Sequence, residues 1–281
     1  MPEGPEVRKI ADVLEKAVGH YIIDFWANAD PKYKFCREGV EGSKLFHDRK
    51  PLKIEKIVVK GKLIRIDLGQ DISVLNTLGM SGTWKNGTLT SEHSRAMFLL
   101  GDSNGVAYDA SGADHLVFCD QRSFGNLKVV TRQKAIEAIK AIGWDLLQAP
   151  MPSKSWLTLQ QKRYFKEKEI GPALMEQKEA SGIGNIYKAE ILHELKINPA
   201  TKVKDVDPQI WVKINTTAHK ILKTSYSQGG SSVRNYSAGG RKGTYQNALK
   251  IYSKKQCPLG HDTAKLKQKS RNTWYCPKCQ K

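Results

Sequence analysis

The hydrophobic period of this chain changes once, near Thr131, and that change constrains the fold more than any other feature. Before it, short β-branched or alternating runs recur: Tyr21–Ala27, Ile54–Val59, Lys62–Leu68, Ser73–Leu78, Ala96–Leu100, Val106–Tyr108, Leu116–Cys119 and Leu127–Val130. Gly, Asn, Asp and Ser punctuate them, and about eight strands so spaced predict a β-sandwich or barrel. One helix precedes the strands. Val7, Ile10, Ala11, Leu14 and Val18 share a face over Pro5–Val18, with Pro5 in a first turn and Gly19 at the stop. After Thr131 the texture is helical: Gln133–Ile142, Ser153–Phe165, Gly171–Gln177, Asn185–Leu195 and Pro208–Tyr226, with Asp205 and Asp207 where caps belong.

The fold class is therefore α+β. At 281 residues the chain is comfortable for two domains. Ala149-Pro150-Met151-Pro152 reads as linker. The expected division is a β domain over 1–130, a linker over 131–152, a helical domain over 153–240 and a terminal finger over 241–281.

The finger carries the clearest chemistry. Cys257-Pro-Leu-Gly-His261 is followed by fourteen residues and then Cys276-Pro-Lys-Cys279. Two close ligand pairs a hairpin apart suit tetrahedral zinc, and four protein ligands leave no open position, so one structural zinc is expected. Cys-x3-His is a less usual first pair than Cys-x2-Cys. Thr273-Trp274-Tyr275 reads as the returning strand, and Cys36 and Cys119 as packed thiols.

Charge points to a polyanion partner. The net charge is +18, and residues 241–281 hold eleven Lys or Arg against one acid, Asp262. No apolar run reaches the roughly 18 residues of a membrane span. Five cysteines, three of them crowded at the end, fit an intracellular, reducing compartment better than a secreted disulfide framework.

The start, Met1-Pro2-Glu3-Gly4-Pro5-Glu6, has its own chemistry. Removal of Met1 leaves Pro2 with a free secondary amine. An α-amine has a pKa of about 7.7–8.0, so roughly a tenth of it is neutral at pH 7 and able to attack a carbonyl-like carbon. Glu3 and Glu6 supply the carboxylates that proton shuttling around an imine needs. Further on, Ser181-Gly182-Ile183-Gly184-Asn185 is a glycine-bearing turn into a helix, read equally as a structural turn or as a phosphate cradle of backbone N–H groups with the Asn185 side chain.

Taken in order, six motifs resemble the Fpg/Nei family of DNA glycosylases, which excise oxidised bases. They are Pro2-Glu3-Gly4-Pro5-Glu6, Gly61-Lys62, Leu78-Gly79-Met80-Ser81-Gly82, Asp120-Gln121-Arg122-Ser123-Phe124-Gly125, Gly182-Ile183-Gly184-Asn185-Ile186-Tyr187 and the finger ending Cys276-Pro-Lys-Cys279-Gln280. The resemblance covers nearly the whole chain. It implies an N-terminal β-sandwich, a helix–two-turn–helix domain and a zinc-finger hairpin, with damaged DNA in the cleft between the halves and a monomeric enzyme. It implies Pro2 as nucleophile at C1′ of the damaged nucleotide, Glu3 as acid/base, Glu6 as its supporting carboxylate, and Lys62, Asn185 and Arg271 as phosphate ligands. Met80, Arg122 and Phe124 resemble the triad that fills the gap left by a flipped base, where an apolar wedge and an Arg offset part of the unstacking cost. Gln228–Tyr236, with Arg234, is similar to the loop that covers an extruded purine.

Two features depart from the pattern. Thr77 stands where Fpg-type members usually have His, and the Cys-Pro-Leu-Gly-His pair is more similar to the second animal Nei-like enzyme than to a four-cysteine finger. A reading of another class is a non-catalytic damaged-DNA-binding zinc-finger protein. Such a protein would have no need of Pro2-Glu3 with Lys62.

Overall fold

The computed structural model describes residues 2–27, 40–87, 93–108, 115–231 and 243–281. Arg234 and Cys36 lie outside the described residues. Two compact units form. Among the described residues, Pro2, Glu6–Ala141 and Gly243 make the first, and Glu3–Pro5, Ile142–Ser231 and Thr244–Lys281 the second.

The first unit is built from α1 (Gly4–Glu15, whose first two residues belong to the second unit), β1 (Tyr21–Ala27), α2 (Ser43–His47), β2 (Leu52–Lys60), β3 (Leu63–Leu68), β4 (Ile72–Thr77), β5 (Gly82–Asn86), β6 (Ser94–Gly101), β7 (His115–Asp120), β8 (Asn126–Thr131) and α3 (Arg132–Lys140). The strand order is β5-β7-β6-β1-β2-β3-β4-β8, all antiparallel. Just two residue pairs, Tyr21 with Lys53 and Ile22 with Leu52, join β1 to β2. The ladder thus divides there into two four-stranded halves. Phe25, Trp84, Phe98 and Phe118 from one half and Ile64, Ile66, Val74 and Val129 from the other enter a single core, as a sandwich requires. Val7, Ile10, Ala11 and Leu14 of α1 are buried in the same core, while Arg8 pairs with Asp12 and Glu15 on the outer face. Trp84, fully buried, also satisfies its indole N–H, which donates to Asn76 Oδ1 at 3.0 Å.

The second unit holds β9 (Trp144–Asp145), α4 (Ser153–Gln161), α5 (Arg163–Lys166), α6 (Ile170–Ala173), β10 (Ala180–Ser181), α7 (Asn185–Glu194), α8 (Pro208–Ser227), β11 (Ala264–Gln268) and β12 (Arg271–Tyr275). Trp156 of α4 and Trp211 of α8 stack at 4.8 Å, and each indole N–H donates to the other's carbonyl, at 2.6 and 2.7 Å. Asp207 caps α8 by accepting from the amides of Gln209 and Ile210. Strands β11 and β12 pair from Ala264–Tyr275 to Gln268–Arg271. Among the described residues no helix is long and apolar enough to cross a membrane.

Five local readings are corrected. The helix expected over Gly171–Gln177 is one turn, Ile170–Ala173, after which the amides of Met175 and Glu176 reach back only three residues, to Pro172 and Ala173. Val106–Tyr108 is not a strand, because Asp102 Oδ1 accepts from the amides of Asn104 and Val106 and curls the chain, leaving a single bridge from Gly101 to Ala107. Gly82–Asn86 is a strand that a run containing Gly, Lys and Asn conceals. The helix expected over Ser153–Phe165 breaks at Lys162 (ψ 126°). A continuous helix would aim Phe165 away from the face of Trp156 and Leu159; the break lets it pack against Trp211 at 6.0 Å. Helix α1 stops at Glu15, where looser three-residue turns lead to Gly19 at φ +96°.

Candidate active site and metal centre

The turn from Ser181 to Asn185 is shaped by close backbone approach. Gly182 has φ +100°, its carbonyl accepts from the Gly4 amide at 2.8 Å, and its own amide donates to Gln177 Oε1. A Cβ on Gly4 would lie 2.9 Å from Gly182 Cα. That contact delivers the residue before Gly4, Glu3, to the start of α7. Glu3 Oε1 accepts from the Ile186 amide at 2.9 Å and Oε2 from the Tyr187 amide at 3.3 Å. The side chain is 2 % exposed. A helix N-terminus offers free N–H groups and the positive end of the dipole, and both suit a carboxylate.

This arrangement corrects the backbone half of the phosphate-cradle reading. The anion on the first α7 amides is the protein's own Glu3. The Asn185 side chain, half-buried, donates from Nδ2 to the Asn272 carbonyl at 3.0 Å and accepts at Oδ1 from Lys188 Nζ at 2.8 Å. Arg271, also half-buried, starts β12 and points Nη1 at Met175 Sδ, 3.9 Å away.

Sequence reasoning missed Lys188. It is wholly buried, and Nζ also donates to Thr273 Oγ1 at 2.6 Å. Burial pulls its pKa down to about 8, with Glu3 opposing the shift and Arg271 adding to it. Glu190, two residues on, is missed as well; its carboxylate accepts from the amides of Lys250, Ile251 and Tyr252. Lys188 and Glu190 stand inside Ile186-Tyr187-Lys188-Ala189-Glu190-Ile191-Leu192, a stretch that is buried on every side.

In the first unit Pro2 is buried, and Glu6 in α1 is 1 % exposed. Lys62 is half-buried at the β2–β3 turn, where Gly61 takes φ +58°. Met80 and the Arg122–Phe124 segment lie on two loops that touch. A Cβ on Gly79 would fall 2.4 Å from Phe124 C, and Gly79 has φ +57°. Buried Asp120 organises this pair: Oδ1 accepts from Ser81 Oγ and the Arg122 amide, and Oδ2 from the Gly125 amide. Arg122 and Phe124 project outward, the guanidinium 5.1 Å from the centre of the Phe124 ring, which is 59 % exposed. An exposed Phe beside an Arg is ready to meet a flat partner.

The four finger residues Cys257, His261, Cys276 and Cys279 converge, their ligand atoms all within 4.8 Å of one another. Cys257 Sγ lies 3.9 Å from Cys279 Sγ, and His261 Nδ1 lies 3.2 Å from Cys279 Sγ and 3.8 Å from Cys276 Sγ. Zn–S of about 2.3 Å and Zn–N of about 2.0–2.1 Å imply tetrahedral edges of roughly 3.5–3.8 Å, so three thiols and an imidazole so placed fit a metal ion. Backbone bonds shape each pair: the Cys257 amide donates to the His261 carbonyl and the Cys279 amide to the Cys276 carbonyl. Cys257 and Cys276 pack on Ala189 and Ile251, so the cluster is seated on α7.

The Glu3 pocket has no room for a side chain at Gly184, where a Cβ would fall 2.2 Å from Glu3 Cδ. Gly184→Ala should therefore destabilise the protein by about 1–3 kcal/mol through overpacking. The backbone there is extended (φ −127°), so the cost is steric and should largely vanish in a Glu3→Ala background. Urea unfolding of the two single variants and the double variant tests this; equal costs in both backgrounds would refute it.

Comparison with known proteins agrees along the chain. The Formamidopyrimidine-DNA glycosylase N-terminal domain matches residues 1–127, and the Formamidopyrimidine-DNA glycosylase H2TH domain matches residues 146–237. Relatives named formamidopyrimidine-DNA glycosylase, from Streptococcus thermophilus and Listeria monocytogenes, are each 29% identical with 100% of both chains covered. Among solved structures, a complex between the Lactococcus lactis Fpg and an abasic site containing DNA is 27% identical, with a TM-score of 0.84 over 99% of each chain. A structure of MutM in complex with carbocyclic 8-oxo-G containing DNA is 26% identical, with a TM-score of 0.83 over 100% of each chain. With both domain signatures in order, full-length relatives and a shared fold, the chain belongs to the Fpg/Nei family of DNA glycosylases.

Proposed function

We propose that this protein is a base excision repair DNA glycosylase with AP lyase activity, acting on damaged DNA through the amine of Pro2. The observation that carries the reading is the Glu3 carboxylate, buried on the α7 amides one residue after Pro2. A carboxylate so held can pass a proton without changing place. Pro2 attacks C1′, the damaged base departs, and a Schiff base joins Pro2 to the opened sugar. The imine nitrogen accepts electrons, so the C2′ proton is lost and the 3′ phosphate is eliminated. A second elimination on the 5′ side leaves a one-nucleotide gap.

In this reading Glu3 protonates the sugar and helps release the base, with Glu6 in support. Lys62, Asn185 and Arg271 hold phosphates. Met80, Arg122 and Phe124 occupy the gap left in the stack, and the segment with Arg234 covers the extruded base. The helical part, 153–240, and the finger, 241–281, bind DNA, with 131–152 as the linker from the β domain. Cysteines that serve as metal ligands fit a reducing intracellular compartment.

Cys257, His261, Cys276 and Cys279 would hold one structural zinc, which supplies folding energy to the hairpin and no chemistry. Elemental analysis of the purified protein should return one zinc per chain, and chelation should weaken DNA binding. Normal binding by metal-free protein would dismiss the structural role.

Replacing Glu3 by Gln keeps the shape and removes the proton carrier. It should lower excision of a damaged base by about 100-fold or more, the scale of general acid–base catalysis, while sparing cleavage at a preformed abasic site. Gel assays on the two substrates would show it; equal losses on both would count against the assigned role.

A further inference from the structure

Lys188 is a buried cation for which the proposed chemistry has no use. An ammonium has three donors and no acceptor, so its partners must turn oxygens toward it. Thr273 Oγ1 accepts from Nζ and donates its own hydrogen bond to Gln268 Oε1 at 2.6 Å. Gln268 Nε2 then donates to Glu169 Oε2 at 2.9 Å and to the Pro199 carbonyl at 2.8 Å. The ammonium heads a chain in which every hydrogen bond has its direction set.

The consequence for Asn185 is larger. A carboxamide can present either its oxygen or its NH2 group, and its hydrogen-bond network decides which. With Oδ1 held on Lys188, Nδ2 is turned to the opposite side, where it donates to the Asn272 carbonyl at 3.0 Å and meets the Tyr252 phenol. A phosphate oxygen needs a donor, and the wrong end would repel it. We propose that Lys188 is a positioning residue that keeps Asn185 turned with Nδ2 as a donor to the DNA backbone, and that ties this donor to strand β12, which carries Arg271. The proposal rests on the reading of Asn185 and Arg271 as phosphate ligands.

The charged and titratable groups facing this network are Glu3 from the N-terminal segment, Arg271 from β12, and Tyr252, which contacts Asn185. Burial and Glu3 push the Tyr252 phenol above its usual range, so it stays neutral near pH 8. Lys188 is the member of the set poised near pH 8. A bound phosphate favours its charged form, so affinity should fall as pH rises above about 8, where the free protein gives up the proton.

The test uses duplex DNA carrying a stable abasic-site analogue, which binds without reacting. Lys188→Met keeps the length and the burial but has no donor. It should bind about tenfold more weakly than wild type, the scale of a lost charge-assisted bond. No further loss should follow when Asn185 is already Ala. The fall in affinity through pH 8 should be present in wild type and absent from Lys188→Met. Wild-type affinity in Lys188→Met, or losses that simply add in the double variant, would overturn the proposal. Should Lys188→Met fail to fold, Asn185→Ala decides alone: disappearance of the pH step supports the proposal and its persistence overturns it. If Lys188→Met binds normally while cleavage at saturating enzyme still requires Pro2, this inference falls and the functional reading stands. If wild type does not bind the analogue at all, both fall.

Discussion

A carboxylate in a protein interior must be given hydrogen bonds, and Glu3 shows how much of the second unit is shaped to give them. Hydrogen bonds to a charged acceptor are worth about 1.5–3 kcal/mol each, and Glu3 takes two from the opening amides of α7. Three glycines make the approach possible. Gly4 and Gly182 let two backbones meet, and Gly184 leaves the space that Glu3 fills. Lys188 adds a cation within reach, although its burial is itself costly. The residue after Pro2 is thereby locked to the helix whose remaining turns support the finger.

Helix α7 connects these parts. Its first turn serves Glu3 and Asn185, and its second gives Lys188 to β12 and Ala189 to the cysteine cluster. Glu190 holds three successive amides of Lys250, Ile251 and Tyr252, the segment that leads into the finger. The cysteine–histidine cluster, the placement of the hairpin and the Glu3 pocket therefore share one rigid element. A change in the metal cluster is expected to be felt at Asn185 and Arg271 through side chains that are already paired.

Much of this was legible in the chain. Period-two runs located most strands because alternation follows burial on one face, and the spacing of Cys257, His261, Cys276 and Cys279 located the four side chains that converge in the hairpin, because two short pairs on a hairpin have few other uses. The strand Gly82–Asn86 was hidden because its place is secured by Trp84, a single buried side chain among polar neighbours. The helix break at Lys162 was hidden because it answers a packing demand from Trp211, forty-nine positions away. Lys188 and Asp120 escaped for a shared reason. A charged residue reads as solvated unless its partners are known, and those partners, Thr273 for one and the Ser81 loop for the other, are distant in sequence.

The central claim is that the nucleophile is the Pro2 amine, and borohydride reduction in the presence of abasic DNA measures it directly. With Met1 removed, the imine should be frozen into a stable protein–DNA crosslink that peptide sequencing maps to Pro2, and protein retaining Met1 should give none at Pro2, whose nitrogen is then an amide and not a nucleophile. A crosslink that maps to a lysine, or one that forms equally well in protein retaining Met1, would contradict the account.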